Sequence, residues 1–228
     1  MNFLALAQRV RSECGGTGSG PSTVVGQTGE NLRFVNWTNE AWRDIQNART
    51  TWRFMRFGFT VNTVANQDSY AYGACTDTTT SAPISAFDHW VHDSFKLYTV
   101  SLADELELIH LPYEDWRQLY RTRPQVANRP INSTILPDNK IGVGPKPAGI
   151  YVLSGDYYRA ATLMAADADT PTLPTQFEMA IVWKAVMYYA ANQEAGSLYA
   201  TAEKEYDRLI GKLEMNQLPK IEWPGALA

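Results

Sequence analysis

The sequence has no pattern that indicates disulfide bonds, a membrane span or a metal-binding motif. Its 228 residues include two cysteines, Cys14 and Cys75, which lie far apart with no motif around either, so neither a disulfide framework nor a zinc site is indicated. The longest apolar run, residues 179–191, is interrupted by Lys184 and is shorter than the roughly 20 residues that a bilayer span needs. We therefore expect a reduced protein with no membrane span.

An excess of positive charge is also missing. The chain has 20 Lys and Arg against 24 Asp and Glu, which gives a formal net charge of -4. A protein that holds nucleic acid over a broad face needs a basic surface. The composition argues against that class and leaves only a local basic strip open. The length allows one large domain or a domain with a sizeable insertion.

No recognisable active site is present either. The densest polar cluster, residues 88–93 (Asp-His-Trp-Val-His-Asp), would offer one His and one carboxylate on each face of a strand, which is thin coordination for a metal. Glu107 suits the outward face of a strand, while Glu114 and Asp115 suit the first turn of a helix better than a glycosidase pair. We predict no enzymatic activity, no catalytic residue, no metal and no cofactor.

Helical patterns occupy the two ends of the chain. Residues 2–13 and 30–49 predict two helices, and residues 175–217 predict two more. The helix over 177–191 is apolar almost all round, which indicates a central position. Thr175 and Glu178 form a predicted capping box. Gly196 is the predicted left-handed cap between the last two helices, and Ser197 the N-cap of the second.

The middle of the chain has a strand pattern instead. Short runs rich in aromatic and β-branched residues predict strands at 52–61, 69–72, 87–91, 95–100, 106–111, 131–136, 141–143 and 150–158, with one helix at 113–120. The predicted fold is α+β, an antiparallel helical bundle (N-terminal helices plus a C-terminal helix hairpin) with an inserted β-rich domain. The predicted domains are 1–51 with 161–218 (bundle), 52–160 (insertion) and 219–228 (C-terminal tail).

A flexible segment lies between the first two helices. Residues 15–29 are rich in Gly, Ser and Thr, which predicts a loop or arm that orders on contact with a partner. A phosphate-binding loop is excluded, because no Lys followed by Ser or Thr comes after its last glycine.

Several motifs, in their order along the chain, indicate a family. They are Gly26-Gln27-Thr28-Gly29-Glu30, Val35-Asn36-Trp37, Trp52-Arg53-Phe54-Met55, Tyr113-Glu114-Asp115-Trp116-Arg117, Asn128-Arg129-Pro130, Gly155-Asp156-Tyr157-Tyr158-Arg159 and Ile181-Val182-Trp183-Lys184-Ala185. The chain resembles the head-to-tail adaptor (connector, or head-completion) proteins of tailed bacteriophages. None of these motifs is catalytic, and the resemblance rests on their joint occurrence and order.

The resemblance implies a structural protein of the virion that is assembled in the host cytoplasm and lies at the head–tail interface. It implies a ring, a dodecamer, between the portal protein and a tail or nozzle protein, with a passing contact with genomic DNA in the channel. The alternatives are a tail-completion or tail-tube subunit, and a phage-borne carbohydrate-binding module or metal-dependent hydrolase. Abundant aromatics suit a sugar-binding β domain as well as an assembly surface.

Candidate contact residues follow from this resemblance and from the local pattern. Ile221 and Trp223 alternate with Lys220 and Glu222 after the helix-ending Pro219, which favours a docked, extended tail. We expect the tail to anchor on the portal, the alternative being that Trp223 folds back onto its own bundle. The other candidates are Gly18, Gly20 and Arg208 for portal or neighbour contacts, and Trp90, Trp116 and Arg117 for the tail-facing side.

Overall fold

The computed structural model describes residues 1–18, 20–99 and 104–218. The chain divides into two compact units, which we call the helical unit (Met1–Met55 with the chain from Ala161 onward) and the β unit (Arg56–Ala160). Within the described residues there are five α-helices and mainly antiparallel sheets, so the predicted α+β class is confirmed at this level. The α-helices are α1 Phe3–Glu13, α2 Gly29–Asn47, α3 Tyr113–Tyr120, α4 Met179–Asn192 and α5 Gly196–Gln217.

Helix α4 lies at the centre of the helical unit. It packs against α1, α2 and α5, as its nearly uniform apolar surface predicts. Its fully buried positions carry mostly small or β-branched side chains, which let neighbouring helices approach closely; they are Ala180, Ile181, Val182, Ala185 and Val186. The helical unit is thus built around a helix from the C-terminal half of the chain.

The start of α4 and its connection to α5 differ from the prediction. Thr175 opens a 3-10 helix, Thr175–Phe177, and Glu178 is the N-cap of α4 without a side-chain cap hydrogen bond. The capping-box prediction is wrong, because the amides of this turn donate to carbonyls three residues back. Glu194, with φ 53°, takes the left-handed conformation predicted for Gly196. Gly196 is instead the first residue of α5, and Ala195, not Ser197, is its N-cap.

Two side chains of α2 hold the chain that enters the helical unit after the β unit. The Asn39 side chain donates to the carbonyl of Met164 at 2.9 Å and accepts from its amide at 3.1 Å. Gln46 makes the same pair of bonds with Thr162, at 2.9 and 3.0 Å. Each amide side chain therefore satisfies both the amide and the carbonyl of one backbone residue.

The helical unit extends slightly further along the chain than the bundle predicted from the sequence. Residues 53–55 form a 3-10 helix, and Trp52 is fully buried with its indole nitrogen donating to the carbonyl of Ile45 at 2.8 Å. The Trp52 ring also stacks on Phe54, with ring centroids 5.4 Å apart. These aromatic residues belong to the helical core, so the strand predicted from residue 52 begins only at Arg56.

The β unit contains two sheets. Its strands are β1 Arg56–Asn62, β2 Ser69–Tyr70, β3 Thr76–Asp77, β4 His89–Tyr98, β5 Leu106–Glu107, β6 Ile109–His110, β7 Asn132–Ile135, β8 Ile141–Gly144 and β9 Val152–Tyr158. One sheet has the order β3-β1-β9-β4-β5 and the other β2-β8-β7-β6. All described pairs are antiparallel except β6 with β7, which is parallel. A cluster of buried side chains that includes Phe59, Trp90, Phe95 and Tyr157 forms its core.

Strand β4 replaces two predicted strands. It pairs with β9 along its length, with a register shift between Val91 and Lys96. The polar residues 92–94, which the sequence pattern assigned to a break, form an irregularity within one strand. On β9, an added Cβ at Gly155 would lie 2.7 Å from Cδ1 of Phe95 and 3.1 Å from Cε1 of Phe59. A glycine is therefore required where the aromatic core approaches this backbone.

Candidate interaction surfaces

Trp90 and Trp116, which the sequence suggested as tail-facing, are core residues of the β unit. Trp90 is 3% exposed, and its indole nitrogen donates to the carbonyl of Asn139 at 2.8 Å. Trp116 is fully buried, with the Arg121 guanidinium carbon 5.0 Å from its ring centroid. Neither ring can reach a partner while the unit is folded, which corrects that interpretation. An arginine next to an aromatic residue in sequence does not determine which way the ring points.

Arg117 is exposed, as a contact residue must be. It lies on α3 and pairs with Glu114 one turn earlier, at 3.7 Å, with most of both side chains in water. Such a pair adds little to stability and leaves the guanidinium accessible. Arg117 therefore stays a candidate for a tail-facing contact.

The glycine-rich segment contacts its own helical unit. Gln8 on α1 donates to the carbonyl of Pro21 at 2.9 Å, and Arg11 donates to the carbonyl of Thr17 at 2.7 Å. Further along, Val24 is buried and its amide donates to the Asp167 carboxylate at 2.6 Å. These contacts lie within one chain, so they argue against an arm that needs a partner in order to become ordered.

Gly18 and Gly20 occupy left-handed backbone conformations within this segment, with φ 87° and 79°. Other side chains are strained there, so the glycines have a conformational role whether or not they touch a partner. Their role as portal or neighbour contacts stays a prediction.

An open groove runs along the C-terminal half of α5, and Arg208 lies in its wall. We call it the α5 groove; its volume is about 490 Å³, and it is lined by Gln176, Phe177, Arg208, Leu209, Lys212, Met215 and Asn216. The mostly buried Phe177 and Leu209 form an apolar floor, and Met215 beside them is 75% exposed. Arg208 also donates to Glu205 at 2.7 Å. Lys220, Ile221 and Trp223, the predicted anchor, lie outside the described residues.

The threonine-rich loop that follows Cys75 is a fixed structural feature of the β unit. Strand β3 pairs with β1 and ends at Asp77. The backbone then reverses direction, and the amide of Ser81 donates to the carbonyl of Asp77. Its carboxylate accepts hydrogen bonds from the amides of Thr79 at 2.7 Å and Thr80 at 2.9 Å. Ser81, with φ 55°, completes the turn. The exposed tip therefore has a defined backbone shape that one buried side chain sets.

Asp77 is also the centre of a long-range ion pair. Its carboxylate accepts from the hydroxyl of Tyr157 and from the guanidinium of Arg159 at 2.7 Å. The guanidinium carbon of Arg159 lies 3.7 Å from the ring centroid of Phe57. Burial alone would raise the pKa of Asp77, but the bonds from Tyr157, from the Thr80 amide, from Arg159 and from the Thr79 amide together hold the pKa well below its usual range.

The histidines of residues 88–93 pair locally. Nδ1 of His89 lies 2.7 Å from the Asp88 carboxylate, and Nδ1 of His92 lies 2.6 Å from that of Asp93. The ring of His92 stacks on that of His110, with ring centroids 4.4 Å apart. Burial lowers the pKa of His110, and the nearby His92 makes a smaller contribution in the same direction. Among residues 1–18, 20–99 and 104–218, no group of three or more His, Cys, Asp or Glu side chains is placed to hold a metal ion.

The described part of the chain also contains no helix with both the length and the apolar character that crossing a bilayer would require. Its candidate surfaces are the α5 groove and exposed loops and charged side chains on the two units. These features define a protein of the mixed α+β class.

The chain belongs to the SU10 adaptor protein family, whose model matches residues 1–227. This membership indicates a bacteriophage adaptor, a structural component of the virion that contacts other phage structural proteins. The family resemblance found in the sequence is thus confirmed at the level of a phage adaptor. Comparison with curated proteins gave no match.

Proposed function

We propose that this adaptor is the subunit of a ring that joins the portal to the tail or nozzle at the head–tail interface. The observation that carries the proposal is the family match over residues 1–227. In this proposal the ring is a dodecamer, genomic DNA passes through its channel, and the subunit acts by contact, without catalysis or a cofactor.

The charges on α5 support repeated contacts between subunits. Arg208 pairs with Glu205 on the same helix, and Glu214 pairs with Arg49 at 2.8 Å. Both signs of charge are also exposed along this helix, at Glu203, Lys204, Asp207, Arg208 and Lys212. The charged residues of one copy can therefore meet those of the next. A contact between two different faces closes into a ring when the rotation between copies divides a full turn. We propose that the helices form an antiparallel bundle whose outer faces make this contact.

In this proposal the tail at residues 219–228 anchors on the portal, chiefly through Ile221 and Trp223. A buried tryptophan at the centre of an interface contributes roughly 2 kcal/mol or more, and a ring multiplies the effect by avidity. Gly18, Gly20 and Arg208 are proposed for portal or neighbour contacts, and Arg117 for the tail side.

The test is assembly with the portal protein of the same phage. The two proteins are co-expressed, purified and imaged by electron microscopy, and we expect adaptor density with the symmetry of the portal. Replacing Ile221 and Trp223 by serine should abolish the binding of the adaptor to the portal. Replacing Glu222 by serine changes the same segment without removing an anchor residue, and should leave assembly intact.

Two results would contradict the proposal. One is a single adaptor copy on the portal, or a symmetry that differs from the portal's. The other is an adaptor that does not bind the portal but binds purified tail tubes, which would indicate a tail-completion subunit.

A further inference from the structure

The α5 groove has the chemistry of a site for an aromatic or aliphatic side chain. Phe177 and Leu209 supply an apolar floor, and Met215, 75% exposed, stands beside it. Methionine adapts to irregular partners and makes favourable contacts with aromatic rings. Arg208 and Lys212 line the same groove, where a cation can lie over the face of an aromatic ring.

The chain that follows α5 starts at one end of this groove. Asn216 is the last lining residue in sequence, and Leu218, just beyond the helix, has an extended backbone with φ −87° and ψ 153°. Pro219 then prevents the helix from continuing. If the chain reverses at Pro219, the next residues of the same chain lie directly beside the groove. The tail of another copy has no such covalent proximity.

The length of the tail matches the length of the groove. From Arg208 to Asn216 the helix rises about 12 Å, at 1.5 Å per residue. The three steps from Lys220 to Trp223 cover about 10 Å in an extended chain. Residues 220–223 can therefore run back along most of the groove.

The alternation in the tail also fits. In an extended segment Ile221 and Trp223 point to the same side, while Lys220 and Glu222 point to the other. Running back along α5 brings Ile221 beside Met215 and Trp223 beside Leu209 and Arg208. The two apolar side chains then face the floor, and the two charged ones face water.

We propose that the α5 groove binds residues 220–223 of its own chain in the free subunit. The groove covers the indole of Trp223 before assembly, and Arg208 lies over its ring. This inference does not depend on the ring or on portal binding. If the portal takes the same two side chains, it competes with the groove for them.

Photocrosslinking of the full-length protein tests the proposal. p-Benzoylphenylalanine replaces Trp223, the protein is irradiated over a range of concentrations, and crosslinked peptides are mapped by mass spectrometry. We expect crosslinks within one chain to Met215, Leu209 or Phe177, with a yield that does not change with protein concentration.

A matched pair of variants makes the test specific. Met215→Glu places a charge in the groove at an exposed position, and should lower the crosslink yield roughly fivefold or more, as loss of a central apolar contact does. Ala200→Glu places the same charge on an exposed site of α5, about 22 Å away along the helix, and should leave the yield unchanged. Circular dichroism confirms that both variants are folded.

Three outcomes would overturn the proposal. They are crosslinks between chains whose yield rises with concentration, crosslinks that map outside the groove, and equal yields in the Met215→Glu and Ala200→Glu variants. Crosslinks between chains would show that the groove binds the tail of a second copy. Crosslinks outside the groove would show that the tail of the free subunit does not bind there, and would favour a different partner protein as its binding site.

Discussion

Replacing Asp77 by asparagine tests whether one buried carboxylate holds the threonine-rich loop to the sheet of the β unit. The Asp77 side chain is 2% exposed, and its partner Arg159 is 24% exposed. The substitution removes the charge but keeps an oxygen that can accept from the amides of Thr79 and Thr80. It leaves the guanidinium of Arg159 without its counterion.

The magnitude follows from that geometry. Removing one partner of a buried ion pair costs about 3–5 kcal/mol. Arg159 retains some contact with water, and the loop keeps its amide bonds, so we expect the free energy of unfolding to fall by about 2–4 kcal/mol. For a unit of this size the melting temperature should fall by roughly 10–25 °C.

The change in the free energy of unfolding is measured by urea unfolding of the full-length protein, with hydrogen exchange of peptides from the β unit as the readout. Asp156→Asn is the matched control, because it removes the exposed pair with Arg56; it should cost less than about 1 kcal/mol. If Asp77→Asn is no more destabilising than Asp156→Asn, the assignment of Asp77 as the loop anchor is wrong.

The same variant has a defined pH dependence. The folded state lowers the pKa of Asp77, so its ionised form stabilises the protein above the unfolded pKa, and that stability is lost as the pH falls toward the folded pKa. The difference between wild type and Asp77→Asn should therefore narrow as the pH falls below about 4. A constant difference down to pH of about 2 would contradict the reasoning.

Three further predictions concern other sites. Gly155→Ala should destabilise the β unit by about 1–3 kcal/mol through crowding of two phenylalanine rings, whereas Gly149→Ala, which meets open space, should change unfolding by less than about 0.5 kcal/mol. Burial raises the pKa of the Cys75 thiol to about 12, so it should react with a thiol reagent only after unfolding; rapid labelling at pH 8 would refute its burial. The Val24 amide should exchange slowly in the isolated subunit and faster in Asp167→Ala, and equal rates would show that this hydrogen bond is not formed.

Helix α3 shows where sequence reasoning is sufficient. The range 113–120 was predicted and is the range observed. Pro112 precedes it, and Glu114 and Asp115 favour its first turn, so the local signals agree with one another. Strand β4 shows the opposite case, because a polar run within one strand has the same composition as a turn. Its continuity depends on pairing with β9, which is distant in sequence.

The candidate surfaces were harder to predict for the same reason. The turn chemistry of residues 77–81 is visible as Asp followed by Thr and Ser, but Arg159 lies 82 residues from Asp77 and no local pattern connects them. Trp90 and Trp116 were wrongly assigned to a surface, because composition identifies a ring but not the side of the element that carries it. The α5 groove needs a contact between Phe177 and the second of two helices, which periodicity alone does not supply.

The division of the helical unit between the two ends of the chain sets an order of events during synthesis. Helices α1 and α2 leave the ribosome first, but their central partner α4 begins only at Met179. At translation rates of about 5–20 residues per second, roughly 7–26 s separate the end of α2 at Asn47 from the start of α4 at Met179. The β unit can close in that interval, because its first and last strands pair, Arg56 opposite Tyr158. When the β unit closes, the apolar face of α2, with Phe34 and Ile45, therefore still lacks its final cover, which is α4.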